Sequence, residues 1–178
     1  GFALGGPIIQ DKAHFFATYE GKEFDQPISV IPGGPSTYTA GLPASARAQL
    51  GAASQPFKEN LYFAKIDWEP TDRDRIEVTG KYRDETAVSG IGTGTAASAS
   101  YSTKNTDKRY VIRWDHSADA WFNRLQATYE NAFYTPTATN LGNGYVYTAF
   151  GSNDQQILAT GAASPLASQN KGQKGPSL

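Results

Sequence analysis

Hydrophobic and polar residues alternate along residues 60–85, and the same pattern recurs elsewhere in the chain. A side-chain period of two predicts β-strands, because successive side chains of a strand point to opposite faces. The apolar positions on one face of the two predicted strands are Tyr62, Ala64, Ile66, Trp68, Ile76, Val78, Gly80 and Tyr82. Between them, Pro70 and Asp72 are typical of a tight turn. We therefore expect a β-hairpin with one apolar face and one charged face.

Two further segments, residues 1–24 and 107–134, show the same alternation around a short turn. In the first, the turn is expected at residues 10–12 and the following strand has Ala13, Phe15, Ala17 and Tyr19 in its apolar phase. In the second, the apolar phase contains Tyr110, Ile112, Trp114, Trp121, Leu125, Ala127 and Tyr129. The sequence thus predicts three hairpins, or about six strands.

Long polar segments separate these hairpins. Residues 25–58 are interrupted by prolines, 86–106 are rich in Gly, Ser, Thr and Ala, and 135–178 are polar and rich in glycine. All three are predicted to be loops, with two helical turns expected at 43–50 and local structure at 155–160. Loops this long are uncommon inside compact soluble domains.

Short and long connections alternate strictly along the chain. In an antiparallel meander, this order puts every short turn at one end of the sheet and every long loop at the other, as in outer-membrane β-barrels. We therefore predict an all-β fold, an antiparallel up-and-down meander of about six strands that is an incomplete segment of a transmembrane β-barrel. Six strands are too few to close such a barrel, because the known range begins at eight.

The aromatic residues give an independent indication of the same fold. All three Trp residues lie in the apolar phase at the short-turn ends of their strands, and Tyr residues occupy that phase toward the long loops. Trp121 and Tyr129 are expected to span roughly 19 Å of height in a tilted strand, which suits an apolar band of about 25 Å between aromatic girdles.

The opposite phase carries both signs of charge. The side chains expected to form cross-strand pairs there are Arg75, Glu77, Lys81, Arg109, Arg113, Arg124 and Glu130.

Composition excludes several classes of protein. The 178-residue chain has a net charge of −1, which gives no global basic field for nucleic acid. It contains no Cys, so disulfides, thiolate metal sites and cysteine nucleophiles are excluded. It also contains no Met and starts inside a patterned segment, which favours a fragment of a longer protein. The chain has no run of 18 apolar residues, so no transmembrane helix is predicted.

Candidate chemical motifs are weak. Residues 90–95, Gly-Ile-Gly-Thr-Gly-Thr, lack the Lys-Ser/Thr end of a phosphate-binding loop, and no amphipathic helix follows. Asp72 and Asp74 have a spacing seen in calcium loops, but a turn role explains them better. His14 and His116 are assigned to polar phases, without metal-ligand spacing. We expect no catalytic, cofactor-binding or metal-binding residues and no enzyme; the substrate-binding residues cannot be assigned.

Several short phrases resemble those of Oar-like TonB-dependent outer-membrane receptors. The phrases are GGPIIQDK at 5–12, HFFATYEG at 14–21, KIDW at 65–68, TDRD at 71–74, YR at 82–83 and QNKG at 169–172. In that family a GGPI-x-x-DK turn precedes an FF-x-x-YEG strand, and QNKG resembles a phrase in a later loop just before another strand. The resemblance spans most of the chain and keeps the order and spacing of the phrases.

The resemblance implies a barrel of about 22 strands around an N-terminal plug, often preceded by a carboxypeptidase-like β-sandwich. It also implies energy-coupled transport of an unidentified substrate in the outer membrane of a Gram-negative bacterium. The implied partners are outer-membrane lipid or lipopolysaccharide, and the plug domain and TonB system through other parts of the protein; nucleic acid and cofactors are not expected. The alternative is a soluble β-sandwich adhesin or carbohydrate-binding module, whose apolar phases would pack in a closed core.

Overall fold

Strands β1 to β6 and β9 form a single seven-stranded antiparallel sheet in the order β1-β2-β3-β4-β5-β6-β9. The computed structural model describes residues 1–150, 154–164 and 169–177. The strands are β1 Phe2–Ile9, β2 Ala13–Val30, β3 Gly51–Thr71, β4 Asp74–Ser89, β5 Tyr101–Ser117, β6 Phe122–Ala138, β7 Gly144–Ala149, β8 Gln155–Gly161 and β9 Lys171–Ser177. The predicted all-β, up-and-down arrangement is confirmed, and the described strands do not close into a barrel.

The three predicted hairpins are β1–β2, β3–β4 and β5–β6, each joined by a short turn. Lys12 N donates to Ile9 O at 3.1 Å in the first turn, and Ala118 N donates to Trp121 O at 2.8 Å in the third. Ser117 N also donates to Arg73 O at 2.8 Å, which ties the second turn to the third. The short turns therefore lie together at one end of the sheet.

The strands extend well beyond their predicted ends, so the predicted loops 25–58, 86–106 and 135–178 need correction. Their first and last parts continue the ladders of β2 to β6, and the third contains β7, β8 and β9. Alternation marks only the part of a strand whose two faces meet different surroundings, whereas backbone pairing continues past it. The sheet accordingly has seven strands rather than about six.

Prolines supported the prediction of a loop at 25–58, and three prolines lie within the strand extensions. Pro27 in β2 and Pro56 in β3 lie where each strand pairs with a single neighbour, because β1 pairs only with residues 13–19 and β4 reaches β3 only from Phe57 onward. Pro136 in β6 lies beyond the residues that pair with β9. Each proline thus occupies an edge position, where a missing N–H breaks no ladder bond.

The buried hydrophobic cluster lies at the long-loop end of the sheet, where the end of β2 meets the long connections. It consists of Val30, Leu42, Ala46, Ile91, Ala96, Ile157 and Leu158. Residues 31–50 contribute a 3-10 helix, Ser36–Gly41, and the short helix α1, Ala44–Arg47; residues 90–100 contribute a second 3-10 helix, Ala97–Ala99. We call these two segments, with the β7–β8 hairpin, the loop cap. Two helical turns were expected at 43–50, where the structure has the four-residue helix α1, and the local structure expected at 155–160 is β8.

Backbone hydrogen bonds join the parts of the loop cap. Gly33 N donates to Ile157 O at 2.8 Å, and Ala96 N donates to Ala159 O at 2.9 Å. Ala159 N in turn donates to Gly94 O at 2.8 Å. The β7–β8 hairpin is therefore held by both preceding connections. Among the described residues, no helix has the length and apolar character needed to cross a membrane.

Candidate functional site

The strand register places the predicted apolar positions on one face of the sheet. From the long-loop end to the short-turn end, the rows across this apolar face are Phe2, Tyr19, Tyr62 and Tyr82; then Leu4, Ala17, Ala64, Gly80, Tyr110 and Tyr129; then Phe15, Ile66, Val78, Ile112 and Ala127; then Ala13, Trp68, Ile76, Trp114 and Leu125. The first row continues to Lys108, the register partner of Tyr82, and the other three rows contain no charged residue. Three hairpins that are separate in sequence thus contribute to one apolar surface, with no charge in the three rows nearer the short turns.

The large side chains of the apolar face are exposed. Ile66 is 44% accessible, Ile112 51% and Leu125 56%. A contiguous apolar surface of this kind is rare on a soluble monomer and usually marks an interaction surface. In the part of the chain that the structure describes, the face packs against no second layer.

Aromatic side chains border the apolar face at both ends. Toward the long loops, the rings of Tyr19 and Tyr62 are 4.9 Å apart and those of Tyr62 and Tyr82 are 6.0 Å apart. At the short-turn end, Trp114 Nε1 donates to Asp74 Oδ1 at 2.9 Å. Each kind of ring thus has an apolar body on the face and a polar group at its edge, as interfacial aromatic residues do.

Asp74 links the turn to the aromatic residues beside it and lies outside the band between the Trp and Tyr positions. Thr71 Oγ1 donates to its carboxylate at 2.6 Å, and His116 Nδ1 lies 2.7 Å from Oδ1. These hydrogen bonds, with the one from Trp114, lower the pKa of Asp74 to about 2. The carboxylate is therefore ionised at neutral pH and orders the short-turn end of the sheet.

The opposite face carries cross-strand ion pairs centred on Glu77. Lys65 Nζ lies 2.8 Å from Glu77 Oε2, and Arg113 donates to the same oxygen at 3.0 Å. Nearby, Arg75 donates to Asp67 at 2.9 Å, on the adjacent strand. Residues of β3, β4 and β5 are thus joined in one charged network, as predicted for Arg75, Glu77 and Arg113.

Further pairs continue this charged face. Arg124 makes a bidentate contact with Asp115 at 2.8 and 3.1 Å, and Lys81 donates to Asp107 at 2.8 Å. Arg109 and Glu130 lie opposite each other in the register of β5 and β6, although within the described ranges no ion pair under 4.0 Å joins them. The prediction of cross-strand pairs therefore holds for most of the named side chains.

The sequence did not identify Glu59 as a partner. Its carboxylate lies between Lys22, at 3.3 Å, and Arg83, and its side chain is only 8% exposed. Glu59 falls between the predicted loop 25–58 and the predicted hairpin 60–85, so it was assigned to no strand. Extending the predicted β3–β4 hairpin away from its turn, residue by residue, would have placed Glu59 near Arg83. That pairing was the sequence signal that could have identified Glu59 as a partner.

The weak sequence motifs have structural roles. Within 90–95, Gly90, Gly92 and Gly94 have positive φ angles and a 3-10 helix follows, so this segment packs as a turn of the loop cap. His14 lies on the charged side of β2, opposite Asp67. His116 instead shares the Trp114 phase, and its ring centroid lies 5.8 Å from that of Trp114. Its assignment to a polar phase was therefore wrong, because polarity was read from the residue and not from the register.

The loop cap contains an open cavity of about 780 Å³. Its lining includes Tyr101, Asn143, Tyr145 and Gln156. In the described part of the chain, no cluster of three or more His, Asp or Glu side chains could hold a metal ion.

Searches of protein-family models, curated proteins and solved structures found no match to the chain.

Proposed function

We propose that the chain is part of the transmembrane β-barrel of an Oar-like TonB-dependent outer-membrane receptor, which couples energy to the transport of a substrate that is not identified. The observation that carries this proposal is the apolar face. It is continuous across six strands, exposed and bordered by aromatic rings at both ends, and the three rows between Lys108 and the short turns carry no charge. Lipid is the solvent that stabilises such a face, whereas water penalises it.

The two faces and two ends of the sheet support the same proposal. The ion-paired face suits a barrel interior that is filled with water or occupied by a plug. The short turns suit the periplasmic side, and the loop cap suits the extracellular side, where long loops can capture solute. The resemblance of residues 5–21 and 65–74 to the Oar-like family adds the receptor class.

The sheet edges also fit a barrel segment. Among the described strands, β1 pairs only with β2, and β9 pairs only with β6. Unpaired edges tend to aggregate, and closure of a barrel removes them. In the proposed receptor, further strands pair with both edges.

A soluble β-sandwich would place the apolar face in a closed core. The exposure of Ile66, Ile112 and Leu125 disfavours that alternative. A test that shows whether the apolar face contacts lipid, water or a protein core can therefore distinguish the two proposals.

The test uses spin labels at neighbouring positions on opposite faces of β4. Because this chain has no Cys, single-cysteine variants at Val78 and Thr79 can each carry one nitroxide, in a receptor otherwise free of cysteine. In lipid vesicles, the label at Val78 should be accessible to oxygen and protected from a water-soluble nickel complex. The label at Thr79 should be more accessible to nickel.

Two results would contradict the proposal. Strong accessibility to nickel at both positions would place the apolar face in water. Protection of position 78 from both reagents would place it in a protein core, as a sandwich requires. Labels at Ile112 and Val111 provide the same comparison on β5.

A further inference from the structure

A groove crosses the apolar face over β2, β3 and β4. Its floor consists of Ala17, Ala64 and Gly80, which are consecutive partners in the register. At Gly80, a Cβ atom would lie 3.5 Å from the Tyr110 ring, so this ring closes the groove at β5. Small residues over three neighbouring strands leave an open volume of about 370 Å³.

Aromatic rings form one wall of the groove. Phe2, Tyr19, Tyr62 and Tyr82 lie side by side in the register, and the ring centroids of Phe2 and Tyr19 are 5.7 Å apart. The groove is therefore apolar along its length, while the tyrosine hydroxyl groups provide polar atoms at its edge. This shape accommodates a slender hydrocarbon chain better than a bulky or charged ligand.

A cation lies at the rim of the groove. Lys108 is the register partner of Tyr82, and its Nζ lies 5.3 Å from the centroid of that ring. The side chain is exposed, and in the described part of the molecule it forms no ion pair. By contrast, Lys104, on the same strand and face, lies 3.8 Å from Asp84 Oδ1. Lys108 is thus a cation available to a ligand in the groove.

We propose that the groove binds an anionic lipid, with one acyl chain along Ala17, Ala64 and Gly80 and the lipid phosphate at Lys108. This inference rests on the proposed function, which places the apolar face in the membrane. Lys108 lies in the same row as Tyr82, at the long-loop end of the apolar face, which is the level where headgroups meet the aromatic girdle. Charge complementarity selects the phosphate, and the floor of small residues selects the hydrocarbon chain.

The experiment measures lipid retained by the complete receptor with native mass spectrometry. The receptor is reconstituted with an equimolar mixture of phosphatidylglycerol and phosphatidylcholine that carry identical acyl chains. We expect preferential retention of phosphatidylglycerol. Lys108→Gln should reduce this preference about fivefold, in line with the attraction of one basic residue to an anionic membrane surface. Lys104→Gln, the matched control, should leave the preference unchanged.

A second pair of variants tests the acyl-chain site. Ala64→Leu fills the floor of the groove and should reduce retention of both lipids, whereas Ala127→Leu adds the same side chain elsewhere on the apolar face and should not. Inorganic phosphate should fail to displace phosphatidylglycerol, because the acyl chain contributes to binding.

Distinct results would overturn this inference. Equal losses for Lys108→Gln and Lys104→Gln would indicate general surface charge. Displacement by inorganic phosphate, with no effect of Ala64→Leu, would indicate an anion site without an acyl-chain site. Failure of the unmodified receptor to insert into lipid would instead contradict the proposed function, and this is measured before any variant is compared.

Discussion

At the scale of single residues, Asp11 shows how the short turns are formed. It lies between β1 and β2 with φ of 59°, the only positive φ of a non-glycine residue in the described ranges. This left-handed conformation costs most L-residues roughly 1–2 kcal/mol, and aspartate adopts it more readily than most. The turn therefore depends on the identity of the residue at position 11.

In the proposed receptor, we expect Asp11→Gly to preserve or increase the stability of the sheet and Asp11→Val to lower its free energy of unfolding by about 1–2 kcal/mol, because a β-branched side chain strains this conformation. Urea unfolding of the receptor in lipid vesicles measures the difference. The neighbouring residue Gln10 has no positive φ, so Gln10→Val serves as the control. Equal losses for the two valine variants would show that the backbone conformation is not responsible.

The sequence predicted this turn from residues 10–12, but it did not predict the positive φ. Turn residues such as aspartate occur in several turn types, and the register of the flanking strands decides among them. His116 is a different case, because its spacing of two residues from Trp114 already assigns it to the phase of Trp114. The position of the turn was thus easier to predict than the backbone conformation within it.

At the scale of elements, the long connections behave differently from flexible loops. The loop cap has its own buried core, in which Leu158 and Ala96 are fully inaccessible. Its contacts include a close approach of Gly33 to β8, where a Cβ atom at Gly33 would lie 2.1 Å from the carbonyl oxygen of Gln156. The position therefore excludes any side chain as long as the hairpin stays docked.

In the proposed receptor, we expect Gly33→Ala to undock the β7–β8 hairpin and leave the strands of the seven-stranded sheet intact. The backbone of β8 has to move away, which breaks the hydrogen bond from Gly33 N to Ile157 O. Limited proteolysis of the receptor in vesicles should then cleave residues 31–50 and 90–100 faster, while the membrane-protected core stays the same size.

Gly41→Ala provides the matched control, since a Cβ atom at Gly41 would meet nothing within 4 Å. Wild-type rates of cleavage for Gly33→Ala would show that the loop cap tolerates this displacement. Faster cleavage of both variants would indicate a general loss of stability.

The sequence predicted the three hairpins but not the fold of the loop cap. Hairpin partners are close in sequence and share a period of two, so each half of a hairpin supports the prediction of the other. Val30, Leu42, Ile91 and Leu158 meet from distant positions without any common period, and no local pattern indicates such contacts. Prolines at strand edges reinforced the prediction of loops, because one sequence does not show which stretches have a neighbour on only one side.

At the scale of the whole molecule, the distribution of polarity is inverted between the sheet and the loop cap. The sheet exposes its apolar residues and pairs its charges on the opposite face, whereas the cap buries Leu42, Ile91 and Leu158 as a soluble domain would. The alternating pattern was sufficient to predict the separation of the two faces. It could not show which face water contacts, since a period of two is the same for a sandwich and a barrel.

Charge on the apolar face distinguishes these environments in the intact receptor. Arginine facing lipid near the middle of the membrane costs about 2–4 kcal/mol, whereas arginine in the barrel interior meets water and counter-charges. We therefore expect Val78→Arg and Ala127→Arg to block assembly, and Thr128→Arg, one residue further on β6 and on the opposite face, to assemble normally. Heat-modifiable migration of the receptor in outer-membrane fractions measures the folded yield. Normal yields of both apolar-face variants would show that this face does not contact lipid, and equal failure of Thr128→Arg would show that β6 tolerates arginine on neither face.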